Sequence, residues 1–99
     1  MNLHNKYHLS KEELEGMVSI MRPSIFGNPF IIGKDGDRDE VVEKFKTYFL
    51  DKVANDPTYR QALFELYESG DDIYCCCSPQ RCHGDYIVNF YKMYKKLTE

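Results

Sequence analysis

Apolar residues recur along this chain at steps of three and four in three stretches, and two further apolar runs are too short to be helical. Val41, Val42, Phe45, Tyr48, Phe49 and Val53 predict a helix from about Arg38 to Ala54 with one buried stripe, opened by Asp37 and Glu40 in the manner of a capping box. Tyr59, Leu63, Leu66 and Tyr67 mark a second helix, with Asp56 as its cap, Pro57 in its first turn and Ser69-Gly70 closing it. Tyr86, Ile87, Phe90, Tyr91, Tyr94 and Leu97 mark a third, ending in Lys95-Lys96 where cations suit the helix dipole. Residues 1–9 carry no period, and Ser10 with Glu13 caps a short helix from Lys11 to Leu14 or Glu15 that Gly16 stops.

The two short runs read as strands. Met17 to Met21 is a first core strand, ended by Arg22-Pro23, and Ile73 to Cys77 is a second. Alternation in the second places Ile73, Cys75 and Cys77 on one face and Tyr74 and Cys76 on the other. Small thiols on both faces predict a strand buried between layers. The fold class expected is α/β: a small, largely parallel, Rossmann-like sheet with helices against it.

Length and charge narrow the function. Ninety-nine residues make a single domain, 1–99. A formal net charge of −3 provides no broad cationic field, so duplex nucleic acid is not an expected partner. No apolar run reaches the roughly 18 residues of a membrane span, and the start lacks a signal peptide's apolar core, so the expected setting is cytoplasmic, without a membrane. All four cysteines lie between Cys75 and Cys82, a placement that suits free thiols in a reducing compartment better than staples.

Chemistry concentrates in the stretch from Asp72 to Tyr86, where a strand ends in thiols and a helix begins after Cys82-His83-Gly84. In open α/β sheets ligands bind at such strand ends. Three uses compete. The N–H groups near Cys82, His83 and Gly84, with Arg81 beside them, suit a phosphate or carboxylate, although Asp85 and the Ser78-Pro79 loop could simply cap the helix. Asp85 discourages an anion but could accept hydrogen bonds from ribose hydroxyls.

Cys75, Cys77, Cys82 and His83 supply donors of the kind zinc takes, yet adjacent residues in one helical turn point about 100° apart, which makes Cys82 and His83 awkward partners for one ion. Thiol catalysis is the third use. Cys75 and Arg81 fit a C-x₅-R phosphate loop, with Pro79 removing a donor, and Cys82 at a helix start is the better-placed nucleophile, with His83 badly directed to act as its base. Upstream, Arg22, Ser24 and Asn28 leave a strand end in a loop whose Phe26 and Phe30 read as core plugs, and Arg38 stands in a first helical turn within reach of an anion.

Arg22-Pro23-Ser24, Gly27-Asn28-Pro29-Phe30, Gly33, the Gly36 to Arg38 helix start and Cys75-x-Cys77-x-Pro79-x-x-Cys82-His83-Gly84-Asp85 together resemble the DUF4326 family of small bacterial and phage proteins. The likeness covers about residues 17–95 and leaves 1–16 as an amino-terminal extension, with Cys76 where members often carry an aromatic residue. The ending is also similar, on fewer residues, to DUF488 proteins. The first resemblance implies a small α/β protein in which Arg22, Ser24, Asn28, Arg38, Cys82, His83, Gly84 and Asp85 share one pocket.

The function expected is binding, with sequestration, of a small phosphate-bearing nucleotide or ADP-ribose-like ligand, a phage anti-defence protein acting on a host nucleotide signal, with subunits paired to enclose it and no resident cofactor. Its alternatives are a hydrolase or transferase on the same kind of substrate, using Cys82, His83 or Asp85, and a zinc-stabilised interaction module.

Overall fold

Three short parallel strands carry the molecule's chain crossings. The computed structural model describes residues 1–77 and 80–98. β1 (Leu3–Asn5), β2 (Val18–Ser19) and β3 (Ile73–Cys75) lie in the order β1-β3-β2, all parallel. Ile73 stands opposite both Leu3 and Val18, which makes β3 the central strand. The chain is thus α/β with a small parallel sheet.

β1 is the element that hydropathy does not announce, because Leu3-His4-Asn5 has one apolar residue and no alternation to reveal. Its place is set from the other side. The Asp72 carboxylate accepts a hydrogen bond from the Asn2 N–H at 2.8 Å and lies 2.9 Å from His4 Nε2, while the Ile73 N–H donates to Asn2 O. Residues expected to precede the family's span as an amino-terminal extension therefore contribute a strand to the sheet. Partial burial opposes ionisation of Asp72, but the hydrogen bonds from His4 and Asn2 outweigh it and hold the carboxyl below its ordinary value.

The helices follow the predicted caps. Ser10 and Glu13 close a capping box on α1 (Lys11–Glu15), and Asp37 and Glu40 close another on α2 (Arg38–Asn55). Asp56 caps α3 (Pro57–Ser69), which ends at Gly70 with φ of 76°, a left-handed conformation that suits glycine. α4 (Gly84–Thr98) completes the chain. No helix among the described residues is long and apolar enough to cross a membrane.

Helix stripes and the sheet meet in an aromatic core of Phe45, Phe49, Tyr59, Leu63, Tyr67, Ile73 and Ile87. Phe49 presents its face or edge to Tyr59 at 6.2 Å and Phe90 at 5.6 Å, the perpendicular arrangement aromatic quadrupoles prefer. The buried Tyr67 hydroxyl donates to Ile87 O at 2.8 Å, which ties α3 to α4. Two expectations change. The third helical stripe stops short of Leu97, which is exposed, and the second strand ends at Cys75, leaving Cys76 exposed rather than between layers.

Gly84 explains how α4 sits. A Cβ at this position would come within 2.6 Å of Ile20 Cδ1 and 3.0 Å of Leu3 Cδ1, so the first turn of α4 rests directly on side chains from β1 and the end of β2. Gly84, expected at a ligand, instead makes room for Ile20 and Leu3.

Gly84→Ala is expected to cost about 1–3 kcal/mol, the usual range for overpacking. Gly16→Ala, at φ of −86° with only Glu13 O near the added methyl, is expected to be neutral or slightly stabilising. Urea unfolding of the two variants separates the cases. Asp72→Asn has a pH signature. A carboxyl whose folded pKa is depressed contributes stability that is present above its unfolded pKa near 3.8 and is lost as pH falls through the folded value. The gap in unfolding free energy between the parent and Asp72→Asn should accordingly be full at neutral pH and close in acid below that point, which denaturant titrations across pH will read.

Candidate ligand pocket at the strand ends

The loop after β2 is a set of tight turns tied to α2. Ser24 N–H donates to Met21 O at 2.8 Å, Gly27 N–H to Ser24 O at 2.9 Å, and the Ser24 hydroxyl accepts from Phe26 N–H at 3.2 Å. Gly27 is required by closeness, since a Cβ there would lie 3.0 Å from Ser24 O and 3.1 Å from Arg22 N. Asn28 is buried and uses both ends of its amide. Nδ2 donates to Val41 O at 3.1 Å, and Oδ1 accepts from Phe30 N–H at 3.0 Å. Arg22 Nη1 in turn donates to Asn28 O at 2.7 Å. This latch holds the loop against the first turns of α2 and stands Phe30 and Ile31 beside the strand ends.

α2 brings a second guanidinium to the same place. Arg38 Nη1 donates to Arg81 O at 3.3 Å, and both residues line one cavity. Arg81 is spent differently from expectation. Its guanidinium donates to Asp39 Oδ1 at 3.3 Å, to Tyr86 Oη at 3.0 Å and to Glu43 Oε1, and the Tyr86 hydroxyl also donates to Glu43. Two carboxylates thus answer the charge of Arg81, whereas neither Arg22 nor Arg38 makes an ion pair among the described residues.

The floor comes from β3 and the start of α4. The Sγ atoms of Cys75, Cys77 and Cys82 lie within 4.8 Å of one another, with Cys75 and Cys77 at 3.8 Å. The Cys82 N–H donates to Asp85 Oδ2 at 3.1 Å, and the Gly84 N–H is directed at Cys82 Sγ at 3.4 Å. Two of the three N–H groups expected to cradle an anion are therefore engaged within the helix start itself. The expected capping by Ser78-Pro79 lies outside the described residues.

His83 is buried, edge-on to Phe45 at 4.8 Å between ring centroids, with Nε2 2.9 Å from Ile20 O. Burial pushes its pKa down, so the ring is neutral at pH 7. The carbonyl partner places the hydrogen on Nε2 and leaves a lone pair on Nδ1, which stands 3.6 Å from Cys82 Sγ. Cys82 and His83 were expected to diverge as neighbours in one helical turn. Both precede the first helical residue, so that rule does not govern them. A hydrogen bond from Cys82 pulls the Cys75 thiol below its ordinary value, and the same bond, with burial, pushes Cys82 up.

These parts line an open cavity of about 380 Å³ at the carboxyl ends of β2 and β3. Of the residues read from sequence, Arg22, Asn28, Arg38, Arg81, Cys82 and His83 line it, while Ser24, Gly84 and Asp85 do not. Ser24 shapes the loop, Gly84 seats the helix and Asp85 caps it. Met21, Phe30, Ile31, Ile32, Val41 and Val42 add an apolar wall that the sequence pattern does not assign to a site. The sequence signal for this wall is an apolar run inside a loop dense in Gly and Pro, in which Phe30 lines the cavity rather than plugging the core.

The protein-family model described as Domain of unknown function (DUF4326) matches residues 3–93, a span that begins in β1 rather than at residue 17. The chain is similar to the "Uncharacterized 12.4 kDa protein in nrdA-td intergenic region" of Enterobacteria phage T4, at 34% identity over 73 residues. The aligned part is 73% of this chain and 64% of the phage protein's length. No solved structure matches.

Asn28→Ala would leave Val41 O and Phe30 N–H without their partner and release the loop. An expected cost of about 1–3 kcal/mol follows from stranding buried polar groups. Hydrogen exchange should show the loss of protection confined first to residues 22–32 and the first turn of α2.

Proposed function

For a chain that belongs to the DUF4326 family, we propose binding and sequestration of a small nucleotide-type ligand in this pocket. One observation carries the reading. Two guanidiniums without carboxylate partners, Arg22 and Arg38, face a cavity that has an apolar wall and no acidic lining residue among those described. Each arginine is anchored by one carbonyl and keeps further N–H groups free of that contact, the arrangement that suits a bidentate oxyanion. Phosphate sits between them, and the ring system lies against Met21, Phe30 and Ile31. The volume is at the lower end of the range of about 300–1,000 Å³ usual for small-molecule sites.

The position at the carboxyl ends of parallel strands supports a Rossmann-like use of the sheet. The phage origin of a similar protein supports sequestration of a nucleotide signal within an infected cell's cytoplasm. Ile31 and Ile32 remain exposed at the rim, where a bound base or a second subunit would cover them.

A second reading, turnover of the same ligand by a hydrolase or transferase, draws on the contact between Cys82 and the neutral His83 and on the Cys75 thiol, which the hydrogen bond from Cys82 pulls below its ordinary value. Asp85, capping and outside the cavity, has no part in it.

Titration calorimetry with ADP-ribose, nucleoside mono- and diphosphates and inorganic phosphate tests the binding reading. Arg22→Ala and Arg38→Ala should each weaken binding about tenfold or more, since a charged hydrogen bond is worth roughly 1.5–3 kcal/mol. Arg81→Ala should matter far less. Absence of heat with every member of the panel would remove the reading. Chromatography of the ligand after incubation decides the second, which requires turnover that Cys82→Ser abolishes while binding survives.

A further inference from the structure

The three thiols on the pocket floor have a geometry of their own. Tetrahedral zinc bound at about 2.3 Å to sulfur sets its ligand sulfurs about 3.8 Å apart. Cys75 and Cys77 stand at 3.8 Å, and Cys82 completes a triangle with no edge above 4.8 Å. We propose that Cys75, Cys77 and Cys82 form a three-thiolate site for zinc, with its fourth coordination position open to the ligand pocket.

The chain builds this triangle from two elements. Cys75 ends β3 and Cys77 follows two residues on with its Sγ 3.8 Å from that of Cys75, while the exposed Cys76 lines the cavity beside them but is not one of the three sulfurs within 4.8 Å of one another. The turn into α4 delivers Cys82 from below. The Gly84 N–H directed at Cys82 Sγ supplies the outer hydrogen bond that thiolate ligands commonly accept. His83 is not the fourth ligand. Its Nε2 is held by Ile20 O, and its ring lies outside the group of atoms within 4.8 Å of one another.

Zinc bonds to three sulfurs, any thiol protons leave to solvent, and the site carries a net single negative charge. Arg22 and Arg38, which line the same cavity without acidic partners, neutralise it. Three protein ligands and one open position are the pattern of zinc sites that accept water or a ligand atom, whereas a closed structural site has four. The proposal is independent of the nucleotide reading, because the triangle exists whether or not the pocket takes a phosphate.

The test uses the whole chain, reduced and stripped of metal, titrated with zinc against a chromophoric chelator and then with cobalt. One zinc per chain is expected, with sulfur-to-cobalt charge-transfer absorption and the visible bands of tetrahedral cobalt. Added azide should shift those visible bands by occupying the open position. Cys75→Ser, Cys77→Ser and Cys82→Ser should each lower affinity by at least about 100-fold, and Cys76→Ser should leave it unchanged. Should the buried Cys82→Ser fail to fold, the half-buried Cys77→Ser decides. Zinc well below one per chain, no charge-transfer band, no response to azide, or an equal loss in Cys76→Ser would each overturn the site. Calorimetry with inorganic phosphate on the metal-free protein reads the arginines separately, so failure of one site is not mistaken for failure of the other.

Discussion

The seating of α4 on the strand ends is the contact on which the remaining geometry depends. Two adjacent residues make it: Gly84 lets the helix touch Ile20 and Leu3, and His83 reaches Ile20 O through Nε2. Because Ile20 precedes Met21 and Arg22, fixing its carbonyl also fixes where the next loop departs. Cys82, one residue earlier, is thereby held under the end of β3. A helix start placed this way serves as a structural joint first, and its N–H groups are mostly used before any ligand arrives.

Charge in the molecule is sorted accordingly. Arg81, the cation nearest in sequence to the thiols, is neutralised by Asp39 and Glu43 and pins α2 to α4. Arg22 and Arg38, which come from distant parts of the chain, supply the cationic side of the cavity. An exposed ion pair contributes little stability by itself, so the value of the Arg81 network lies in alignment of two helices rather than in energy. The cavity owes its cationic character to residues whose hydrogen bonds go to carbonyls, which orient a guanidinium without cancelling it.

Much of this was legible in the sequence. Capping boxes at Ser10 and Asp37, the Pro57 start and the Gly70 stop all act through neighbours three or four residues away, so local pattern contains them. Arg22, Asn28, Arg38 and Cys82 were readable as one cluster through a shared family pattern. What stayed hidden depends on distant partners. β1 exists because β3 and Asp72 hold it, and nothing in Leu3-His4-Asn5 says so. Gly84 and Asp85 looked like ligand residues because a glycine at a helix start serves equally well for close approach by a phosphate or by a leucine. The role of Phe30 turned on the direction of one loop, which the Asn28 latch decides.

The strands themselves are two or three residues long, and the two outer ones flank a single central strand. An unpaired edge normally invites another chain to add a strand, the route to aggregation that proteins blunt by charge, proline or brevity. Here brevity does it, helped on one side by the turn of Lys6–His8 and on the other by Pro23. An intruding segment would find only a few backbone groups to pair with and would gain little. Two edge strands this short give the sheet little with which to template its own misassembly.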